Sequence, residues 1–265
     1  MLKTPPRAAP RPLVYLVVAS LLAGVVWTAC GQSSEPELPP GRVTCDPLTE
    51  LKSYRYRTGV TLDLAARDPS MEPTDGYDPE AFTLDQVVEG AVEREGKIEA
   101  TARTTEPAQS ETSTIVIEDR AWVSAEGIDW TFIDPTIGAF PIPYLPVDTC
   151  NAVAPDIDIS GETGELETVG DVPSRKYGFD ALSSRLPARH PSFGAQSDAG
   201  RLVSEFRGDV WIAEKDRYIT KLDLEGTGSY ENGRQLTMKI SYEVFDQNDN
   251  SIRIEAPQVT PVPPN

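Results

Sequence analysis

The sequence offers few side chains that could catalyse a reaction. Its 265 residues include one histidine, His190, which stands directly before a proline. Nucleophilic catalysis of the serine-hydrolase type needs a histidine base, a third group that orients it, and a nucleophile on a sharp turn. The residues around His190 contain no such nucleophile. We therefore expect His190 to be an ordinary loop residue and the protein not to be an enzyme.

Candidate metal ligands are also sparse. Residues 246–250, Asp-Gln-Asn-Asp-Asn, carry closely spaced side-chain oxygens, as a calcium-binding loop does. Ser251, however, takes the place of the glycine that allows the sharp turn of such a loop, and Pro257 takes that of its bidentate glutamate. Zinc would need clustered histidines and cysteines, which the sequence lacks. We expect an Asp- and Asn-rich turn leading to a last strand, with no metal and no cofactor.

The cysteine with the clearest chemistry is Cys30. It follows Trp27, Thr28 and Ala29, and this sequence is similar to the lipobox of bacterial lipoproteins, although that motif usually has leucine where Trp27 stands. The resemblance implies that Cys30 is acylated and becomes the new N-terminus. The alternative is an uncleaved membrane-spanning helix, for which about 20 apolar residues are needed.

Two further cysteines, Cys45 and Cys150, remain if Cys30 carries lipid. Outside the cytoplasm the environment is oxidising, so we expect the pair to form a disulfide. The alternative is that both are unrelated small apolar residues.

The ends of the chain differ in composition from its middle. Residues 1–29 carry three basic residues and no acid, followed by the apolar run Leu13–Val26, which is the order of an export signal. Residues 30–42 are small, polar and proline-rich, which predicts a flexible membrane-proximal linker, and residues 258–265 predict a disordered tail. Residues 43–257 can form one domain with a sizeable core. We expect this domain to lie on the extracytoplasmic face of the cell membrane, anchored by lipid.

The chain is strongly acidic, with a formal net charge of −18. Removal of the leader, with its three positive charges, would take this value to −21. An acidic surface repels phosphate backbones, and the sequence contains no basic patch interleaved with aromatic residues. These features argue against nucleic-acid binding.

Apolar and polar residues alternate over much of the chain, most clearly in residues 209–245. Leu222, for example, falls on one face of a strand and Lys221 on the other, and the alternation continues beyond Asn232-Gly233. A period of two predicts half-buried strands, and Asn-Gly between two of them predicts a tight hairpin. Similar patterns elsewhere predict about ten antiparallel strands and few helices, one of them a helical turn at residues 181–186.

The chain resembles the bacterial lipoproteins of the LppX and LprG type in five segments that follow the order of that family. These are YRYRTGVTLDL (54–64), STIVIEDRAWVSAEGIDW (113–130), ETVGDVPSRKYGFD (167–180), DVWIAEKDRYITKLDLEGTG (209–228) and YEVFDQNDNSIRIEAP (242–257). The resemblance implies a mainly β (α+β) domain: a single antiparallel, strongly curved sheet that forms an incomplete β-barrel, with a few short helices over its open side. This shape is shared with the lipoprotein carriers of the LolA and LolB type. It also implies a hydrophobic cavity for the acyl chains of a lipid or glycolipid.

We therefore predict a membrane-anchored extracytoplasmic lipoprotein that binds and carries an acyl-chain-bearing ligand. The alternatives are a sensor or regulatory module that binds an envelope protein partner, and a structural lipoprotein of the cell envelope. Curved sheets with few helices tend to leave room for ligands on their concave side. For each aromatic or aliphatic candidate, an ordinary core position is the alternative. The predicted lining consists of Leu62, Leu64, Ile115, Ile117, Trp122, Leu222, Leu224, Met238, Ile240 and Tyr242.

Overall fold

A computed structural model describes residues 42–66, 81–94, 96–126, 128–133, 145–157, 159, 164–182, 203–229 and 234–259. The chain divides into two compact units, Met1–Leu38 and Pro39–Asn265, and all described residues belong to the second. Several expectations fall outside the described residues: the signal peptide, Cys30, all but the last residue of the linker, His190, the Asn232-Gly233 turn and most of the tail.

The described residues contain eleven strands that form one antiparallel sheet. They are β1 (Ser53–Leu64), β2 (Phe82–Glu93), β3 (Lys97–Glu106), β4 (Ser110–Ile117), β5 (Arg120–Ala125), β6 (Thr131–Ile133), β7 (Glu165–Val169), β8 (Val172–Leu182), β9 (Val203–Ala213), β10 (Ile219–Ser229) and β11 (Gln235–Phe245). Their order across the sheet is β6-β5-β4-β3-β2-β1-β11-β10-β9-β8-β7. The chain starts in the middle of the sheet and meanders to one edge. It then re-enters at the other edge and returns to the middle, so β6 and β7 are the edge strands of the described sheet.

The sheet is strongly curved. A Cβ atom built on Gly170, in the turn between β7 and β8, would lie 3.2 Å from the Cβ atom of Phe245 at the end of β11. Two strands separate β8 from β11 in the sheet, so the sheet must bend for these residues to meet. The predicted fold class is thus confirmed: the domain is mainly β, with a single antiparallel sheet that does not close into a barrel.

Two short α-helices accompany the sheet in the described residues. They are α1 (Asp46–Glu50) and α2 (Pro146–Val153), and a 3₁₀ turn (Ala154–Asp156) follows α2. The predicted disulfide is confirmed: Cys45, directly before α1, is bonded to Cys150 of α2, with 5.9 Å between their Cα atoms. Leu48 of α1 and Val153 of α2 are buried in the same hydrophobic cluster as the central strands. The bond therefore joins the two helices where they pack on the sheet.

The prediction of a helical turn at residues 181–186 is wrong for its first two residues. Ala181 pairs with Phe206, and Leu182 pairs with Glu205, so both belong to β8. Pairing with the neighbouring strand satisfies backbone groups that a helical turn would have to satisfy locally, and this tertiary contact outweighs a weak helix propensity. The rest of the turn lies outside the described residues.

Candidate ligand-binding site

One face of the sheet, here called the apolar face, carries seven of the ten predicted lining residues. It is defined by the even-numbered residues of β1, β10 and β11. Cross-strand pairing places Leu62 beside Met238 and Leu222 beside Tyr242. All seven side chains are at most 9% exposed and belong to one hydrophobic cluster. These seven residues are Leu62, Leu64, Leu222, Leu224, Met238, Ile240 and Tyr242.

The other three predicted residues, Ile115, Ile117 and Trp122, lie on the opposite face, here called the polar face. Ile115 pairs with Trp122 across β4 and β5, and both are 6% exposed. They pack against Ile252 and Ile254 of the C-terminal segment, in a cluster separate from that of the apolar face. The structure therefore does not bring them together with the other seven.

The composition of β4 explains why the sequence did not reveal this separation. From residue 112 to residue 117 of this strand, the odd-numbered and the even-numbered positions alike carry apolar or small residues, so the alternation does not reveal which set faces the core. If the assignment of residues to the two faces of a strand is wrong by one position, every side chain is assigned to the opposite face.

The last strand that we expected after residue 250 does not form, because residues 251–259 are an irregular segment across the polar face.

The C-terminal segment is held to the polar face by the carboxylate of Glu93. The backbone N–H of Ile254 donates to Glu93 Oε2 at 2.9 Å, and the ammonium group of Lys97 lies 3.2 Å from the same oxygen. The hydrogen bond from Ile254, assisted by Lys97, holds the pKa of Glu93 below its usual value. The ionised carboxylate thus stabilises the fold more than the protonated acid does.

Replacement of Glu93 with Gln is expected to reduce the free energy of unfolding at pH 7 by about 1 kcal/mol, because the amide oxygen can still accept from Ile254 but lacks the charge that strengthens this hydrogen bond and attracts Lys97. Because the folded-state pKa is lowered, this contribution is complete above the usual pKa of glutamate. It disappears as the pH falls through the lowered value. Urea unfolding at several acidic pH values should therefore show a smaller loss of stability with falling pH for Glu93→Gln than for the wild type.

Glu99→Gln is the control, because Glu99 is exposed on the neighbouring strand. Equal behaviour of the two variants would contradict the prediction.

Tyrosines gather at the end of the apolar face that α1 and α2 cover. The Tyr242 hydroxyl donates to the carbonyl oxygen of Ile219 at 3.0 Å, and the Tyr218 hydroxyl donates to Oε1 of Gln247. Burial raises the pKa of Tyr218 to about 12 and that of Tyr242 well above its ordinary value. Tyr56 differs from both. It is fully buried, yet its hydroxyl has no hydrogen-bond partner in the part of the chain that the structure describes.

A cavity of about 240 Å³ opens on the apolar face where it crosses β2, β3 and β4. Its lining is small and uncharged, and it consists of Gln86, Ala100, Ala102, Thr104, Ser110, Thr112 and Thr114. These lining residues were not predicted from the sequence, because the predicted lining consisted of large apolar side chains. The available signal was the succession of small residues at alternate positions, Ala, Ala and Thr in residues 100–104 and Ser, Thr and Thr in residues 110–114.

A larger groove, of about 810 Å³, crosses the middle of the polar face. Small residues, Gly59 and Ser241 among them, line it, and a Cβ atom built on Gly59 would lie 2.8 Å from Ser241 Oγ. Charged side chains border it, and most of them form ion pairs, as Lys239 does with Glu225 at 3.2 Å. Its lining consists of Gly59, Thr61, Asp85, Val87, Arg207, Gly208, Asp223, Leu224, Glu225, Thr227, Lys239, Ile240 and Ser241. An acyl chain would have to lie against these charges, so this groove does not suit one.

The oxygen-rich segment at residues 246–250 is a turn. Both carboxylate oxygens of Asp249 accept hydrogen bonds from Ser251, one from its backbone N–H and one from its hydroxyl, each at 2.7 Å. Asn248 Oδ1 accepts from the backbone N–H of Lys52, and Asp246 lies 3.4 Å from the guanidinium group of Arg55. Within the described residues, no group of three or more His, Cys, Asp and Glu side chains could hold a metal ion. Nor does any helix there have the length and apolar character needed to span a membrane.

No family model matches the chain, and no curated protein does. Solved structures similar to it include LprF from Mycobacterium bovis, with 12% identity, a TM-score of 0.42, and coverage of 80% of this chain and 92% of LprF. A putative outer membrane lipoprotein-sorting protein domain from Vibrio parahaemolyticus gives 7% identity, a TM-score of 0.26, and coverage of 75% and 87%. A β-barrel-like protein of a domain of unknown function, DUF1849, from Brucella abortus gives 9% identity, a TM-score of 0.24, and coverage of 74% and 100%.

Proposed function

We propose that this protein is a lipid-anchored extracytoplasmic lipoprotein that binds and carries a hydrophobic ligand with an acyl chain. The observation that carries the proposal is the apolar face. It gathers seven buried aliphatic and aromatic side chains on one side of a curved, open-edged sheet, beside an uncharged cavity. Each methylene group that moves from water into such surroundings contributes about 0.8 kcal/mol. A modest length of acyl chain therefore provides useful affinity without catalytic groups.

Binding of an acyl chain requires this face to open. The cavity of about 240 Å³ is smaller than common ligand pockets, which measure about 300–1,000 Å³. The remainder of the face is filled by its own side chains and by α1 and α2. In the proposed carrier the ligand replaces some of these contacts, which costs little where one apolar surface takes the place of another.

The test is analysis of the lipids that co-purify with the protein from its own membranes, with extraction and mass spectrometry. Leu222→Trp and Ile240→Trp add bulk to the apolar face, so each is expected to reduce the bound lipid at least tenfold while circular dichroism shows an intact sheet. Lys239→Trp is the matched control, because Lys239 is next to Ile240 in β11 but points to the polar groove. Loss of lipid from Lys239→Trp alone would place the ligand on the polar face and contradict the proposal.

A second candidate is a regulatory module that binds an envelope protein partner. The observation that favours it is the exposure of two large apolar residues near the β6 edge, Ile128 at 65% and Phe132 at 52%. Phe132 packs edge-on against Trp122, with 5.9 Å between the ring centroids. An open edge strand can pair with an extended segment of another protein. Protein that purifies without lipid and takes up none from a total lipid extract would favour this candidate.

A further inference from the structure

We propose that the cavity on the apolar face binds the uncharged head of an acyl ester, and that the Tyr56 hydroxyl donates a hydrogen bond to an oxygen of that head. This inference rests on the proposed function, because it names the chemical class of ligand that the same face would hold. The class is an acyl ester whose head carries hydroxyl groups and no charge, such as an acylglycerol.

The first argument is the change in polarity along the apolar face. The central strands contribute Leu, Ile and Met side chains to it, and β2 adds Val88, whereas the part of β2, β3 and β4 that lines the cavity contributes Gln, Ala, Ser and Thr. The cavity is therefore lined by hydroxyl groups, methyl groups and one amide, beside the apolar cluster of the central strands. Hydroxyl groups both donate and accept hydrogen bonds. Gln86, a residue of the same lining, already donates from Nε2 to Thr104 Oγ1 at 3.1 Å and also carries an amide oxygen, which is an acceptor. This arrangement suits an amphiphile with a polar, hydroxylated head.

The second argument is the position of the Tyr56 hydroxyl. Tyr56 pairs with Gly90, and a Cβ atom built on Gly90 would lie 2.6 Å from the Tyr56 hydroxyl oxygen. The ring therefore leans from β1 across Gly90 toward β3. On β3, Ala100 pairs with Gly90, and Ala100 lines the cavity. The hydroxyl thus reaches from the apolar cluster toward the hydroxyl-rich strands.

A buried hydroxyl without a partner is uncommon in folded proteins. Burial raises the pKa of Tyr56 above its ordinary value, so the phenol stays protonated at neutral pH and can donate. The ester or hydroxyl oxygen of a ligand would supply the acceptor that the described part of the chain does not supply. The absence of a side chain on Gly90 is what allows the ring to adopt this position.

The third argument concerns charge. The chain has 42 acidic and 24 basic residues, yet none of the seven residues that line the cavity is charged. A phosphate group placed there would lose its hydration without gaining a cationic partner from that lining, which is unfavourable. The acidic protein as a whole also repels anions. An uncharged head avoids both costs.

The test uses the full chain in detergent micelles that contain one of two photoreactive probes. The probes are a monoacylglycerol and a phosphatidylglycerol with the same diazirine-bearing acyl chain, and peptide mass spectrometry locates the adducts. We expect at least five times more adduct with the monoacylglycerol, in peptides of β1 to β4. Tyr56→Phe should reduce that adduct roughly fivefold, the effect of one lost hydrogen bond. Its melting temperature should not fall, because the hydroxyl that it removes has no partner in the described structure.

Tyr218→Phe is the matched control, because the Tyr218 hydroxyl already has a partner in Gln247. It should lower the melting temperature and leave the ratio of the two adducts unchanged. Equal labelling by both probes would overturn the inference and leave the proposed function standing. Labelling by neither probe would overturn the proposed function, and the inference with it. An unchanged ratio in Tyr56→Phe would overturn the role of Tyr56.

Discussion

Removal of the disulfide by replacement of both Cys45 and Cys150 with Ala is expected to lower the free energy of unfolding by about 4 kcal/mol. The two residues are 105 positions apart, and a cross-link that closes a loop of this length strongly restricts the unfolded chain. Domains of this kind are stable by only about 5–15 kcal/mol, so the loss is a large fraction of the total. Urea unfolding of the variant and the wild type, followed by circular dichroism, measures the difference.

Reduction of the wild type with dithiothreitol is the control for this experiment. It removes the same cross-link without deleting the sulfur atoms, which are buried at both positions. Agreement between the reduced wild type and the double variant would assign the loss to the cross-link. A double variant whose urea midpoint matches that of the oxidised wild type would contradict the prediction.

The same disulfide should restrict ligand entry, because it holds α1 to α2 over the tyrosine-rich end of the apolar face. Leu48 and Val153 are 2% and 1% exposed, so neither helix can move away without exposing apolar surface to water. If the face opens to admit an acyl chain, hydrogen exchange at the two helices should increase when the bond is reduced.

The sequence was informative about the strands wherever one face of a strand is apolar and the other polar. In β10 and β11 this alternation is regular, and both strands lie where the sequence places them. The edge strand β7 was not foreseen, because most of its side chains are exposed and no period-two pattern of apolar residues marks it. An edge strand forms by backbone pairing with one neighbour, here β8, and backbone pairing leaves little trace in the sequence.

The site was harder to predict than the fold, because it depends on contacts between residues that are distant in sequence. The face of Trp122 is decided by Ile252 and Ile254, more than a hundred residues further along the chain. In the same way, Gly90 matters because the ring of Tyr56 lies over it, on a different strand. Patterns within one strand indicate which residues share a face. They do not indicate what covers that face.

Replacement of Gly208 with Ala is expected to be among the most destabilising single substitutions in the sheet, with a loss of about 3 kcal/mol. A Cβ atom at this position would lie 2.0 Å from the carbonyl oxygen of Asp223 and 2.9 Å from the Cα atom of Leu224. Both are backbone atoms of β10, so no rotation of a side chain can relieve the overlap. The backbone φ of Gly208 is +156°, which residues with a Cβ atom rarely adopt. Because Gly208 lies between Phe179 of β8 and Leu224 of β10, any relief must separate strands that carry the apolar face.

Gly178→Ala provides the matched control one strand away, because a Cβ atom built on Gly178 would meet nothing within 4 Å. This substitution is expected to leave the stability unchanged or to raise it by up to about 1 kcal/mol, since alanine restricts the unfolded chain more than glycine does. Urea unfolding of the two variants side by side separates a general effect of glycine replacement from the specific overlap at Gly208. If Gly208→Ala were as stable as Gly178→Ala, the close approach of β9 and β10 would not limit the packing of this sheet.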